Sequence, residues 1–548
     1  MSFLRTQPSS RWIPFVLLLA LAVLFQAPTV LADDDPGPLV PVSGASPFLD
    51  CNADAPAMQP GVNFLSSEVE PWAVVNPVDP DNIVAAWQQD RWGNGSARGI
   101  GIGTSFDGGE TWQTAPLPGL TPCTGGGFVR ASDPWLTFSP DGTLFHMALV
   151  TDGRIGRSAM VVQRSEDGGL TWTAPLSLVD DVFPLFNDKN TMTADPTNAN
   201  FVYATWDRLD FANGGGPALL ARSTDGGQTF EAPSVIWDPG VNGQTIGNQI
   251  VVLPDGTVID FFTDVDFLNT PPFFRLTVAL KYSLDQGQTW LPEGEPIQVG
   301  EIQSTFAVAE PENGGLVRDA NLIFDAAVDP ETGQLYVVWQ DARFNGGLYD
   351  TVAFSTSDDG GLSWSAPVRI NQTPEVGDLL LRQSFVPSVD VNDRGRVAIT
   401  YYDFRNDGGE PEALTDHWAI TCNARPGNKV RDCGDPSNWS GEIRLTDESF
   451  DLLVAPLTGA GLFLGDYVGL THARNEFIAV FGVTGGDPAD IVSRRFDEGP
   501  EVEEEKALTV AQPMRLGRKA RRALNERLAA GQANVMRKLH RPETLEEK

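Results

Sequence analysis

A chain of 548 residues is too long for one ordinary compact core, which leaves several domains or one repeat architecture that adds units around an axis. Its 73 Asp and Glu against 38 Lys and Arg give a formal net charge of −35. That balance argues against nucleic acid or an anionic membrane as a partner, because phosphate binding runs on clustered cations.

In chain order, Arg5 and Arg11 precede an apolar run from Trp12 to Phe25, and Val30-Leu31-Ala32 places small residues where a signal peptidase reads. The expectation is a cleaved signal peptide over residues 1–32 and a secreted or periplasmic protein. An uncleaved anchor is the alternative, since the run is only a little short of the roughly 20 residues that span a bilayer. The cleavage site weighs against membrane spanning. Residues 33–61 read as a lead-in.

Cys51, Cys123, Cys422 and Cys433 are an even set that allows three pairings. Cys51–Cys123 with the short loop Cys422–Cys433 is the preferred one. A metal site is the alternative, but there is no CxxC spacing, and His146, His417, His472 and His540 are scattered. No cofactor is expected; calcium is the alternative, without a motif to indicate it.

The octapeptide SFDGGETW at 105–112 returns as SEDGGLTW, STDGGQTF, SLDQGQTW and SDDGGLSW, starting at Ser165, Ser223, Ser283 and Ser357. The repeat unit is roughly 60 residues. Asp107 can accept bonds from its own turn, Gly108 and Gly109 permit positive φ, and Trp112 re-enters the core. The same reading makes Asp167, Asp225, Asp285 and Asp359 structural. Two strand-like segments precede each box, so a unit holds four short antiparallel strands, the composition of a propeller blade. Such sets run over 71–117, 134–178, 191–236, 247–299, 321–370 and 384–446. A last set, YVGLTHA, EFIAVFGV and ADIVSRRF, lacks its outer strand, which VNFL at 62–65 would supply. The expected fold is an all-β propeller over 62–496, with seven blades favoured and six as the alternative.

Strand parity puts the boxes at one end of the ring and any site at the other, just before each first strand and just after each second one. The post-second-strand positions repeat as Trp87-Gln-Gln-Asp90-Arg91, Trp206-Asp207-Arg208, Trp339-Gln-Asp341-Ala-Arg343 and Tyr402-Asp403-Phe-Arg405. Their regularity suits a structural Asp–Arg pair bridging neighbouring blades. The pre-first-strand positions differ from blade to blade: Glu68 and Glu70, Arg130 with Asp133, Asp188 with Lys189, Arg318 with Asp319, Arg382, and Asp466 with Tyr467. Either they are solvated rim charges, or they converge as a receptor for an anionic or polyhydroxylated ligand.

After Phe496 the pattern stops. Residues 497–548 form a charged tail in which Leu516, Ala520, Leu524 and Leu528 recur every fourth residue, the stripe of a basic helix. A largely solvated, partly disordered extension is the favoured reading, with docking of the helix on the acidic propeller or on the cell envelope as the alternative.

The five boxes resemble the Asp-box, or BNR, repeat of the sialidase superfamily, over about residues 62–496. SFVPSVDVNDRGRVAITYYDFR and FLGDYVGL also resemble stretches of secreted sialidase-like proteins. The resemblance implies a propeller, a glycan or glycoprotein partner, and three arginines gripping a sugar carboxylate. It further implies an aspartate acid/base and a tyrosine nucleophile primed by a glutamate, the exception to carboxylate-only glycosidases. On strand position these roles fall to Arg130, Arg318 and Arg382, to Asp133 and to Tyr467, with Asp319 and Asp466 as further substrate contacts. The Phe/Tyr-Arg-Ile-Pro motif of sialidases is replaced by EVEPWAVVNP, with Pro71 and Trp72 where an arginine is wanted. Non-catalytic propellers belong to the same superfamily, so a secreted binding protein is the alternative to an exo-acting glycoside hydrolase. A monomer is expected.

Overall fold

A computed structural model describes residues 36–153, 156–409, 411–424, 432–497 and 518–538. The leader expected over 1–32 and much of the charged tail lie outside them. Strand β1 (Val40–Pro41) belongs to the lead-in, and the sheets then follow in series. The first holds β2 (Glu68–Asn76), β3 (Asp79–Arg91), β4 (Ala97–Ser105) and β5 (Gln113–Pro116). One pair, Ala97 with Ala131, ties it to β6 (Arg130–Phe138), β7 (Leu144–Thr151), β8 (Arg157–Ser165) and β9 (Leu176–Val182). Next come β10 (Leu185–Ala194), β11 (Val202–Asp210), β12 (Ala218–Ser223) and β13 (Ser234–Trp237), then β14 (Gly243–Val252), β15 (Val258–Phe267), β16 (Phe274–Ser283) and β17 (Ile297–Glu301). The following sheet is β18 (Phe324–Val328), β19 (Leu335–Asp341), β20 (Thr351–Ser357) and β21 (Val368–Arg369). After it β22 (Ser384–Val391), β23 (Arg396–Asp403), β24 (Leu414–Asn423) and β25 (Ile443–Arg444) pair in order, with β26 (Phe450–Asp451) also on β24. A small hairpin, β27 (Leu457–Thr458) and β28 (Gly461–Leu462), precedes β29 (Gly469–Ala473), β30 (Glu476–Val483) and β31 (Asp490–Phe496). The helix α1 (Arg518–Lys538) comes last.

Every pairing within these sheets is antiparallel. Inner-sheet strands such as β7, β12 and β20 are buried along their whole length, whereas the outer β9 is largely exposed. Each sheet is therefore packed on both faces, and its apolar run replaces a simple alternation. First strands meet in turn: β2 with β6, β6 with β10, β10 with β14, β14 with β18, β18 with β22, β22 with β29, and β29 with β2. Sheets arranged radially on their first strands make a β-propeller.

The last sheet closes differently from expectation. Its outer strand is β1, with Val40 opposite Ser493 and Pro41 opposite Val492, and not residues 62–65. Burial decides between the two segments. Val42 is 1% exposed in a cluster with Trp87 and Ile491, while Val62 and Leu65 stay exposed and Phe64 merely extends the end of β3 by bonding the Arg91 carbonyl. The lead-in is thus part of the sheet framework. Both preferred disulfides, Cys51–Cys123 and Cys422–Cys433, are formed. No described helix is long and apolar enough to cross a membrane.

All five octapeptide turns close alike. Ser105 Oγ donates to Asp107 Oδ1 at 2.8 Å and accepts from the Gly109 N–H, and Asp107 accepts the Thr111 N–H at 2.9 Å. The turn joins β4 to β5, at the end of the sheet opposite the start of β2. Because Asp107 is exposed, Asp107→Ala is expected to cost under about 1 kcal/mol. Trp112 is half-buried against Val42, Ile83 and Trp87, and Trp112→Ala is expected to cost about 3 kcal/mol, the low end for removing a large ring. Thermal melts would measure both, and neither variant should alter ligand binding at the other end. Loss of binding in folded Asp107→Ala would contradict this separation.

Candidate functional site

The site is built on a repeated slip in the inner ladders. Register breaks between Val69 and Trp72, Ser132 and Trp135, Asp188 and Thr191, Ile246 and Gln249, and Phe385 and Ser388. At each break one residue sits in the left-handed region: Glu70 (φ 53), Asp133 (φ 49), Lys189 (φ 45), Gly247 (φ 70) and Val386 (φ 51). A bulge re-aims a side chain, and a non-glycine residue there costs on the order of 1–3 kcal/mol. Only one of the five is glycine, so the ring bears strain to present a carboxylate, a second carboxylate and an ammonium. A proline follows in three of them, Pro71, Pro134 and Pro387, where the ladder has no use for an N–H. The Glu-Pro-Trp and Asp-Pro-Trp repeats at 70–72 and 133–135 were the sequence signal for this device.

These side chains meet. Lys189 Nζ donates to Asp466 Oδ2 at 2.7 Å and Asp133 Oδ1 at 2.9 Å, and reaches Glu70 Oε1 at 3.4 Å. Arg318 forks onto Asp466, its Nε at 3.0 Å from Oδ1 and its Nη2 on Oδ2. Glu70 also accepts the Asp466 N–H and a bond from Gln88. Above the cluster opens a cavity of about 410 Å³, which Arg130, Asp133, Arg318, Asp319 and Asp466 all line. The sequence expectation brought these five together.

Arg382 is not among them. It sits in a short turn at Leu380–Arg382 and donates to the Gly377 carbonyl. The third arginine at the cavity is Arg91, which sequence reasoning had placed in a structural pair. In two blades that pair exists, but it closes within a blade: Arg343 binds Asp341 through Nε at 2.8 Å, and Arg405 binds Asp403 through Nε at 2.6 Å. Residues two apart on a strand end share a side, so the pair itself forms within a blade, while Arg343 also donates to the Glu301 carbonyl of the preceding sheet and Asp341 accepts the Gln303 N–H. Arg208 instead leans toward Asp181 at 3.5 Å. In the first blade the partner is lost, because Asp90 accepts from Ser46, the Ser66 N–H and Arg98. Arg91 then turns to the cavity, 2% exposed, donating to Gln88 Oε1 and stacking on Phe463, which Arg318 also covers. Its Nε has no hydrogen-bond partner among the described residues.

Arg130 is likewise held by neutral acceptors: Gln59 Oε1, Asn94 Oδ1 and the carbonyls of Gly95 and Pro60, all at 2.7–2.9 Å, over the face of Trp92. Neither Arg91 nor Arg130 forms an ion pair among the described residues. Burial pulls both guanidinium groups down to about 10.

Tyr467 lies below the cavity floor. Its hydroxyl donates to the Pro134 carbonyl at 3.1 Å, and its ring meets Trp72 and Trp135 edge-on, the two indoles being stacked 3.6 Å apart. Burial, with Glu70 and Asp133 adding to it, holds that hydroxyl well above the ordinary tyrosine range. Among the carboxylates, burial raises Glu70 to about 7 against the pull of Lys189, and raises Asp188 to about 6 with Asp133 adding. Both can therefore hold or release a proton near neutrality. Lys189 stays charged because its three carboxylates outweigh its own desolvation. Its ammonium stands between Glu70, Asp133 and Asp466, where a bound cation would otherwise sit. The sulfurs of Cys51 and Cys123, beside Asp54, are committed to their disulfide.

No family model matches the chain, and no curated protein does. Among solved structures it is similar to a protein of unknown function from Dyadobacter fermentans, at 14% identity over 78% of this chain and 94% of that one, with a TM-score of 0.42. It is also similar to an α-L-arabinanase of Penicillium chrysogenum complexed with arabinobiose, at 14% identity over 66% and 92%, TM-score 0.44. A Trypanosoma rangeli sialidase gives 13% identity over 70% and 56%, TM-score 0.38. The likeness is one of fold and no more.

Proposed function

We propose that the chain is an exported seven-bladed propeller that binds the acidic terminal sugar of a glycan at the axial cavity and hydrolyses its glycosidic bond. Seven blades accord with the cycle of first-strand contacts, and export accords with the leader and two disulfides. The carrying observation is that Arg91 and Arg130 line the cavity held by neutral acceptors, with no carboxylate partner among the described residues. Guanidinium groups held by neutral acceptors are matched to a sugar carboxylate, and the surrounding Asp133, Asp188 and Asp319 to its hydroxyls. Asp188, near 6, is the proposed proton donor to the leaving oxygen, and Asp133 the opposing carboxylate. Tyr467, with its hydroxyl on Pro134, is assigned a packing role in place of a nucleophilic one.

Aryl glycosides of sialic, galacturonic and glucuronic acid, set beside a neutral arabinofuranoside, test this. Turnover is expected for an acidic member, with kcat lowered at least about 100-fold and KM kept in Asp188→Asn. The fork of Arg318 on Asp466 and the clasp of Lys189 favour a second reading, a receptor without turnover, since they already neutralise three of the carboxylates. Binding of an acidic sugar without hydrolysis would select that reading. Failure to bind or cleave any acidic sugar at millimolar concentration would overturn both.

A further inference from the structure

The C-terminal helix α1 is fitted to the same face of the ring as the cavity. Leu524 and Val535 are buried, at 7% and 1%, and Leu528 is partly so. Val535 joins the core cluster of Ile246 and Leu322, two residues that also line the cavity. The apolar stripe expected at Leu524 and Leu528 thus continues through Gly531 to Val535, while Leu516 and the side chain of Ala520 lie outside the described residues. Gly531 is the closest point. A Cβ added there would overlap the Phe306 carbonyl and come within 2.8 Å of Ala307 Cβ. Glycine costs a helix interior about 1 kcal/mol relative to alanine, and the contact with Phe306 gives it a reason. Half-buried Arg527 lies in the field of Asp350 and Asp378, so the basic helix meets acidic ground.

One helical turn on, Asn534 Nδ2 donates to the Ala460 carbonyl at 3.3 Å. Asn534, Gly459 and Ala460 line the cavity together with Arg130 and Asp133, and the Gly459 N–H bonds the Gly93 carbonyl, beside the Asn94 and Gly95 that hold Arg130. We propose that α1 and the β27–β28 hairpin form a wall that closes one side of the cavity, so that it admits the end of a glycan and excludes a chain running through. The wall rests on geometry alone; the choice of ligand rests on the acidic-glycan reading above.

Two arms separate these. All four native cysteines are in disulfides, so Ser96→Cys, on the cavity lining, introduces a single thiol. In that background a dextran-linked maleimide is expected to react at least tenfold more slowly, relative to N-ethylmaleimide, than with an exposed thiol. Adding Gly531→Leu, or Val535→Glu as a second undocking variant, should remove that discrimination together with the amide-exchange protection of α1. Unprotected α1 amides in the parent protein, or discrimination that survives undocking, would overturn the wall.

In the second arm, calorimetry with sialic acid oligomers and with polysialic acid is expected to give about one parent protein per polymer chain and several Gly531→Leu proteins per chain. Equal stoichiometry for both proteins would overturn end selection. Absence of any binding by the parent would count against the acidic-glycan reading, and the thiol arm would still decide the wall.

Discussion

Lys189→Met is expected to destabilise the folded chain by about 3–5 kcal/mol at pH 8, the range for removing one partner of a buried charge cluster. Lys189 is 11% exposed and is the shared donor for Glu70, Asp133 and Asp466. Without it, three carboxylates face one another under little water. Methionine keeps the length and the left-handed backbone at φ 45, so strain is common to both proteins and the difference isolates the charge.

The pH dependence of this deficit follows from linkage. Glu70 sits at about 7 in the folded chain against an ordinary 4.5, and Asp188 at about 6 against 3.8. Between those pairs of values the folded state binds protons that the unfolded state has released, so these two groups add stability as the pH falls from about 7 toward 4 and withdraw it as the pH rises. Losing Lys189 removes the main influence that lowers Glu70, which pushes its proton affinity higher still. The variant can then shed repulsion by taking up protons on acidification. Denaturant melts from pH 5 to pH 9 should show the deficit largest at the alkaline end and smallest near pH 5. A deficit that did not change with pH would mean that the three carboxylates are not in each other's field.

Local chemistry made much of this legible in the chain. Five turns that satisfy their own donors are marked by Ser, Asp, Gly and Thr at fixed offsets, with Ser363 for Thr in the last, because those bonds span only four residues. The spacing of these turns located the start of each first strand. Arg130, Asp133, Arg318, Asp319 and Asp466 are therefore legible in the chain, with Arg382, as candidates for one end of the ring, though not as distinct from solvated rim charges. What escaped depended on distant partners. Arg91 leaves its motif only because Ser46 and Arg98 take Asp90, and Ser46 comes from a lead-in whose path no local pattern states. The closing strand was misplaced for a similar reason: 40–41 and 62–65 are both short apolar segments, and only the depth to which Val42 is buried separates them. Tyr467 packs beside Lys189, but the direction of its hydroxyl is set by Pro134 in another blade.

Arg91 also carries the sharpest functional expectation. If it serves a ligand, it does so at some expense to the fold, since a buried guanidinium whose Nε lacks an acceptor among the described residues bears a desolvation cost that its bond to Gln88 and its stacking on Phe463 offset only in part. Arg91→Met should therefore leave stability within about 1 kcal/mol of the parent while weakening binding of the acidic sugar at least about 100-fold, the loss of a charge-assisted pair worth roughly 3 kcal/mol. Arg91→Lys should rescue little, because a compact ammonium lacks the planar fork that presents two parallel N–H groups to a carboxylate. Arg343 occupies the equivalent place in another blade, and its pairing with the fully buried Asp341 side chain makes it the matched control. Arg343→Met leaves that buried carboxylate with the Trp339 indole N–H and the backbone N–H groups of Gln303 and residue 343 but no cation, and is expected to cost about 3 kcal/mol with ligand affinity unchanged. Calorimetric titration with the acidic sugar and denaturant melts on both variants would give the two readouts. The reverse pattern, with Arg91→Met unfolding the chain and Arg343→Met abolishing binding, would return Arg91 to the structural role that its motif first suggested.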